Sequence, residues 1–461
     1  MIKLGLGLVI ALVGSALKGQ VPLPLPIYTG PSALTGSYII NPGTSVTFNS
    51  GYTFQATTNL TLGNYAYLYW NQNGPLTGTA ITSGTTAGNY GYINVGNNNA
   101  LTLDSATTLT GDVYVAGTTG ATFTNQGTIT HTSGTGNVYA PTLNNSGAIT
   151  ATSGTLYLGY PSPGYNSTVY LRGNFDNNST LTAQNSGVLL FDGSNTTANL
   201  GTVVLATGGR ARLNGILDNT AATLNAPTGG TYELYGGTIN GGTIAAGALT
   251  FTTSSGTLNG ATLLGDLSLL SASVYVYFAG GSTFTGANAT FASSSGVYWQ
   301  QAGTLTGKTL SMASGSYIYI TGVGHALTLD PTTTATGVMN FYSDGSAGTA
   351  FTNQGTLNHT SGSGSIYSLN FINSGAITAT AGTLYLGYPS AAYNTTNTGT
   401  VVSDGSGTTV YLRGPFDNNG TLTAQNSGVL LFDGSNTTAN LGTVVLATGG
   451  RDADRADRGH L

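Results

Sequence analysis

The sequence predicts an all-β fold, a parallel β-helix or β-solenoid of about 20-residue coils. Three observations carry this expectation. Thr, Tyr, Val and Ile come in short runs broken by Gly, Asn and Ser, which is the composition of strands and turns. Charged helix formers are nearly absent. The chain also repeats itself, at a long period and at a short one.

Composition excludes several classes. Of 461 residues, 71 are glycine, and only 10 are Lys or Arg and 15 Asp or Glu. Glu233 is the only glutamate, and Lys3, Lys18 and Lys308 are the only lysines, so a helical fold has little to build with. Hydrophobic residues make up 39% and recur regularly, which separates the chain from disordered polar tracts. There is no cysteine, hence no disulfide or thiolate chemistry. A net charge of −5 offers no basic footprint for nucleic acid.

The long period is a duplication. Residues 416–451 repeat residues 175–210 with a single change, Gly420 for Ser179. FTNQGTIT from Phe123 matches FTNQGTLN from Phe351, and ALTLD recurs from Ala100 and Ala326. The tryptophans correspond too, Tyr69-Trp70 with Tyr298-Trp299. The short period is 20 residues, from Phe123 to Leu143 and from Phe351 to Phe371. Each unit is an apolar residue, then Asn with Gly or Ser, then a Thr-apolar-Thr strand. Alternation sends Ile129, Leu181 and Leu422 to one face and the threonines to the other. One unit cannot bury its apolar face alone, whereas units stacked along an axis share a continuous core.

FTNQGTIT, LNNSGAITATSGTLYLG and GTLNGATLLGDLSL resemble the repeats of bacterial filamentous-haemagglutinin and autotransporter-passenger proteins. The resemblance covers most of residues 47–451. It implies a right-handed β-helix and a surface or extracellular role, often adhesion.

Six segments are expected. Residues 1–19 read as a signal peptide, with Lys3 before the apolar run 4–17. Residues 20–46 read as a linker and N-terminal cap, 47–213 as the first repeat copy, 214–294 as degenerate coils and 295–451 as the second copy. In 452–461, Asp452, Asp454, Arg455, Asp457 and Arg458 break the repeat mid-unit. This charged tail reads as a frameshift or truncation, with an open last coil prone to self-association.

Catalytic constellations are scarce. Polysaccharide-acting β-helix enzymes need clustered acids, and no adjacent Asp pair occurs. Arg172 with Asp192, and Arg413 with Asp433, are each 20 residues apart and read as structural cross-coil pairs. His131 and His359 occupy equivalent repeat positions and read as surface or turn histidines rather than metal ligands. No catalytic, cofactor or metal residues are assigned.

A binding surface is the better candidate. Tyr65, Tyr67 and Tyr69, Tyr275 and Tyr277, and Tyr317 and Tyr319 alternate along strands, placing aromatic rows on one face. Such rows hold sugar rings or a partner protein, or else stack on each other and stabilise the sheet. Thr128 and Thr130, Thr150 and Thr152, and Thr180 and Thr182 outline threonine ladders of the kind found on ice-binding solenoids. The expectation is a non-catalytic, exported structural or adhesin-like surface protein, partnered by extracellular glycans, matrix or other cells. No cofactor, nucleic acid or small-molecule substrate is expected. The alternatives are a β-helix polysaccharide lyase or hydrolase, and an ice-binding solenoid.

Overall fold

The computed structural model describes residues 21–23, 27–28, 32–84, 90–140, 142–151, 155–158, 168–171, 175–177, 180–183, 188–206, 208–390, 392–434 and 438–454, some of them as backbone alone. The expected signal peptide, Thr152, Arg172 and most of the charged tail lie outside them.

Short strands separated by glycine- and asparagine-rich turns wind into a right-handed parallel β-solenoid of roughly 17 turns, spaced ~22 residues apart. The 20-residue unit read from Phe123 to Leu143 therefore describes the tightest coils. At ~4.8 Å per coil the rod is about 80 Å long. Each coil contributes one strand to each of three faces. In the N-terminal half the first face runs from Val21–Pro22 to Thr202–Leu205. The second runs from Ile27–Tyr28 to Leu249–Phe251, and the third from Ser32–Leu34 to Phe175–Asn177.

Further sheets take over in the middle of the chain. One begins at Ser194–Thr196 and runs to Arg451–Asp454, while the next residues, Ala198–Leu200, pack on Phe175–Asn177 of the third face. The first face ends in a bridge from Val204 to Thr228, and other sheets begin at Thr223–Leu224, Leu267–Leu269 and Ala302–Leu305.

Two boundaries differ from the sequence reading. Residues 20–46 were expected as linker and cap, yet Ser37–Ile40 pairs with Asn59–Leu62, and Ser45–Asn49 with Tyr67–Asn71. Coils thus start before the recognisable repeat, because backbone pairing needs only alternation, not the consensus. The charged tail also enters the fold: Arg451–Asp454 pairs with Val429–Asp433. There Asp452 is in register with Leu430, which is fully buried, so a carboxylate takes an inward register at the last described rung.

Strand alternation sets the core. Ile129, Leu181 and Leu422 are fully buried as their Thr-apolar-Thr pattern requires. Aromatic residues stack along the interior, with Phe341 and Phe351 ring centroids 4.4 Å apart, and Phe351 and Phe371 5.6 Å apart.

The duplicated copies form separate sheets. Ala100–Leu103, Thr108–Gly111 and Val113–Gly117 follow one another round a coil of the first copy, and their counterparts Ala326–Leu329, Thr334–Gly337 and Asn340–Ser343 do so in the same order in the second.

Candidate binding surface

Tyrosine rows arise because side chains at one register position stack at the coil repeat. On the second face Tyr67, Tyr92 and Tyr114 share one register through three consecutive coils. On the sheet that begins at Ser194–Thr196, Tyr277, Tyr298, Tyr319, Tyr342 and Tyr367 do so through five. Tyr317 and Tyr275 belong to the adjoining register, with Gly296 between them. All these side chains point away from the core, opposite to Leu68, Trp70, Val276, Phe278, Ile318 and Ile320.

The rings touch one another. Tyr67 and Tyr92 stack at 4.4 Å with an interplanar angle of 6°, and Tyr277 and Tyr298 at 4.6 Å and 18°. These stacked pairs cover each other's faces, whereas Tyr298 and Tyr319 meet at 70° and Tyr92 and Tyr114 at 57°. Tyr298 and Tyr317 share a hydroxyl–hydroxyl hydrogen bond of 3.1 Å. Burial, reinforced by neighbouring tyrosines, raises the pKa of Tyr92 and Tyr317, so both hydroxyls stay protonated and able to donate. Tyr65 departs from the expected alternation: it sits in the turn before its strand, at φ 57°, against Tyr90. It is 47% exposed and Tyr69 36%, the most open of the expected tyrosines.

Threonine rows cover another face. Thr61, Thr82, Thr110, Thr130, Thr150 and Thr182 are in register through six consecutive coils of the first face. Thr108 and Thr128 stand beside them. No charged residue interrupts either set.

Ion pairs flank these rows. Arg413 is in register with Asp433 one coil on, with Nε 3.3 Å from Oδ2. Its guanidinium also lies 4.0 Å from the Tyr385 ring centroid and donates to the Tyr367 hydroxyl at 2.9 Å. Asp192 accepts a hydrogen bond from Asn214 Nδ2 at 2.7 Å. Sequence reading missed a second cluster: Glu233 accepts from Arg210 Nη2 at 2.8 Å and from Arg212 Nε at 2.9 Å. The signal was there, since the single glutamate stands one coil length after the Arg-x-Arg pair.

The histidines correct an expectation. His131 and His359 are fully buried, not on the surface or in turns. Each occupies an inward strand position, and its Nδ1 accepts a backbone N–H, from Val113 and from Met339, both at 3.4 Å. Gly136 and Gly364 lie so close to the rings that a methyl group there would meet the imidazole. A glycine on the following strand of the same coil makes room for each ring, and burial lowers both pKa values.

The remaining acids are mostly committed to turns. Asp104 accepts from Gly78 N at 2.9 Å and Thr107 Oγ1 at 2.7 Å, and Asp330 accepts from Gly307 N and Thr333 Oγ1 in the matching turn. Among the described residues no group of three or more His, Cys, Asp or Glu is placed to hold a metal ion. No helix among them is long and apolar enough to cross a membrane. The chain is a parallel β-solenoid repeat protein, and comparison with known proteins finds no family model, no curated protein and no solved structure that matches it.

Proposed function

We propose that this protein is an exported, non-catalytic rod of structural or adhesive type that binds neutral polysaccharide surfaces. The observation that carries the reading is the set of outward hydroxyl rows. Tyr277 to Tyr367 and Thr61 to Thr182 each repeat one side chain at one register over five or six coils, with Arg413 meeting the first row only at its Tyr367 end. A polyanion finds no repeating cation along such a row, whereas a hydroxyl-rich neutral lattice finds donors and acceptors at a fixed repeat. Use of the carboxylates in turns and ion pairs supports a non-catalytic role over a lyase or hydrolase. The resemblance to exported adhesin repeats and the apolar run 4–17 support export.

The test is retention of the purified protein on insoluble cellulose, chitin and dextran, with release of reducing ends or unsaturated products followed in parallel. Retention without product is expected. Product release would replace this reading by the enzyme, and absence of retention on all three would remove it.

A second reading, ice binding, is favoured by the double threonine row around Thr108–Thr110 and Thr128–Thr130 on a parallel sheet. Thermal hysteresis abolished by Thr110→Leu and Thr130→Leu together would establish it, and no hysteresis in the unsubstituted protein would dismiss it.

A further inference from the structure

We infer that two stacked tyrosine pairs, Tyr67 with Tyr92 and Tyr277 with Tyr298, are oxidative cross-linking sites. Given hydrogen peroxide and a peroxidase, each pair closes to a dityrosine that staples consecutive coils.

The coils of a solenoid hold one another only through their nearest neighbours. The chain has no cysteine, so no disulfide can tie one coil to the next. It has 27 tyrosines instead, and the outward rows bring several of them ring to ring. Tyr67 is in register with Tyr92, and Tyr277 with Tyr298, so each pair spans one coil step. All four residues are partly exposed on the outside of the rod, within reach of an oxidant from solution.

Geometry selects these two pairs. The bond between two phenoxyl radicals forms at ring carbons beside the hydroxyl, along orbitals that stand perpendicular to the ring. Rings lying face to face aim those orbitals at each other, whereas crossed rings do not. Tyr67 and Tyr92 are nearly parallel, 6° at 4.4 Å, and Tyr277 and Tyr298 lie at 18° and 4.6 Å. Tyr92 and Tyr114 cross at 57°, and Tyr298 and Tyr319 at 70°. Tyr90 and Tyr114 meet at 25° but stand 5.2 Å apart. Tyr385 and Tyr411 come to 4.8 Å at 34°, with the Arg413 guanidinium over both rings. A radical first formed on Tyr317 can pass to Tyr298, because the hydrogen bond of 3.1 Å between their hydroxyls lets a proton move with the electron.

The step balances. Each phenol gives up one electron and its hydroxyl proton. The two radicals join carbon to carbon, and the hydrogen on each bonded carbon shifts to its oxygen, restoring both phenols. Two electrons and two protons leave the protein per cross-link, and they reduce one hydrogen peroxide to two waters.

The test treats dilute purified protein with a plant peroxidase and hydrogen peroxide, followed by digestion and mass spectrometry. Dityrosine fluorescence is expected in monomeric protein, with peptides that join Tyr67 to Tyr92 and Tyr277 to Tyr298, each lighter by two hydrogens. The melting temperature is expected to rise, since a tie between coils restricts the unfolded chain as a disulfide does. Tyr92→Phe should reduce the first cross-link to background and Tyr298→Phe the second, each leaving the other at its full yield. Phenylalanine keeps the ring packing, and an unchanged melting temperature before oxidation verifies the fold. Tyr65→Phe, which removes a hydroxyl from a residue 47% exposed, should change neither cross-link. Absence of dityrosine overturns the inference. So do cross-links that follow exposure, through Tyr65 and Tyr388, and so does an unchanged melting temperature in the cross-linked protein.

Discussion

Asn373 donates its side-chain amide to Oδ1 of Asn397 at 2.6 Å, one coil further along, and accepts the amide of Asn353 at 2.7 Å, one coil before. Asn397 continues to Asn418 at 2.6 Å, and the first copy repeats the step between Asn125 and Asn145 at 2.7 Å. All are almost completely buried, each ending its strand two residues after an inward Phe or Leu, or after Thr395 in the case of Asn397. A buried amide is costly unless its donors and acceptor are met, so the ladder holds neighbouring coils in one register.

Asn373→Leu should therefore cost about 2–5 kcal/mol, because it orphans the Nδ2 of Asn353 and the Oδ1 of Asn397 together. Asn418→Leu, at the ladder's end, orphans the Nδ2 of Asn397 and the carbonyl of Leu441 and should cost a similar amount, whereas Asn370→Leu, outside the ladder, should cost less than half as much. Urea unfolding of the three variants makes the comparison, and equal losses inside and outside the ladder would show that the ladder does not carry the register.

Acidification should destabilise the rod through His131 and His359. Burial lowers both pKa values in the folded state, so the unfolded chain binds the extra protons. Stability is then full above the unfolded value of about 6.5 and is lost as pH falls from there toward the folded values. Asp112 faces His131 and partly offsets its burial, whereas Val338 holds the equivalent position beside His359. Melting temperature followed between pH 8 and pH 5 should drop on the acid side, and His359→Leu should flatten the drop more than His131→Leu.

Gly337 has φ 122°, and its counterpart Gly111 has φ 118°. A methyl group on Gly337 would run into the carbonyl oxygen of Met312 in the preceding coil, in a backbone region that suits only glycine. Gly337→Ala should cost about 3 kcal/mol or more. Gly324→Ala, at φ 72° in open space, should cost only about 1 kcal/mol. Guanidinium melts of the pair separate steric collision from left-handed backbone strain.

Glu233→Gln would leave Arg210 and Arg212 facing each other without a carboxylate. Arg210 is 45% exposed, so solvent screens much of the effect, and the loss should be about 1 kcal/mol at low salt and smaller at high salt. A stability difference that does not shrink with added salt would mean that packing, not charge, is what Glu233 supplies.

Much of this was legible without coordinates. Thr-Ile-Thr at Thr128 and Thr-Leu-Thr at Thr421 announce which side chain goes inward, since a strand's two faces alternate residue by residue. The 20-residue step from Phe123 to Leu143 reflects coil length, so residues one step apart meet, as Arg413 and Asp433 do. The histidines were misread because polarity alone says surface. Only the packing of Gly136 and Gly364, each on the following strand of the same coil, reveals the space made for an imidazole. Tyr65 was misplaced because alternation by itself does not mark where the turn ends.

By itself the sequence determined the repeat, the duplication, the inward apolar columns and the outward Thr and Tyr rows. Those depend on local alternation and on periodicity, which are written residue by residue. Tertiary structure alone decided which way the rings lean, which polar groups are sealed inside, and where one set of sheets gives way to the next. That last property depends on how the intervening coils pair: Ser194–Thr196 opens a new sheet while Val204 still bridges to Thr228 on the old one.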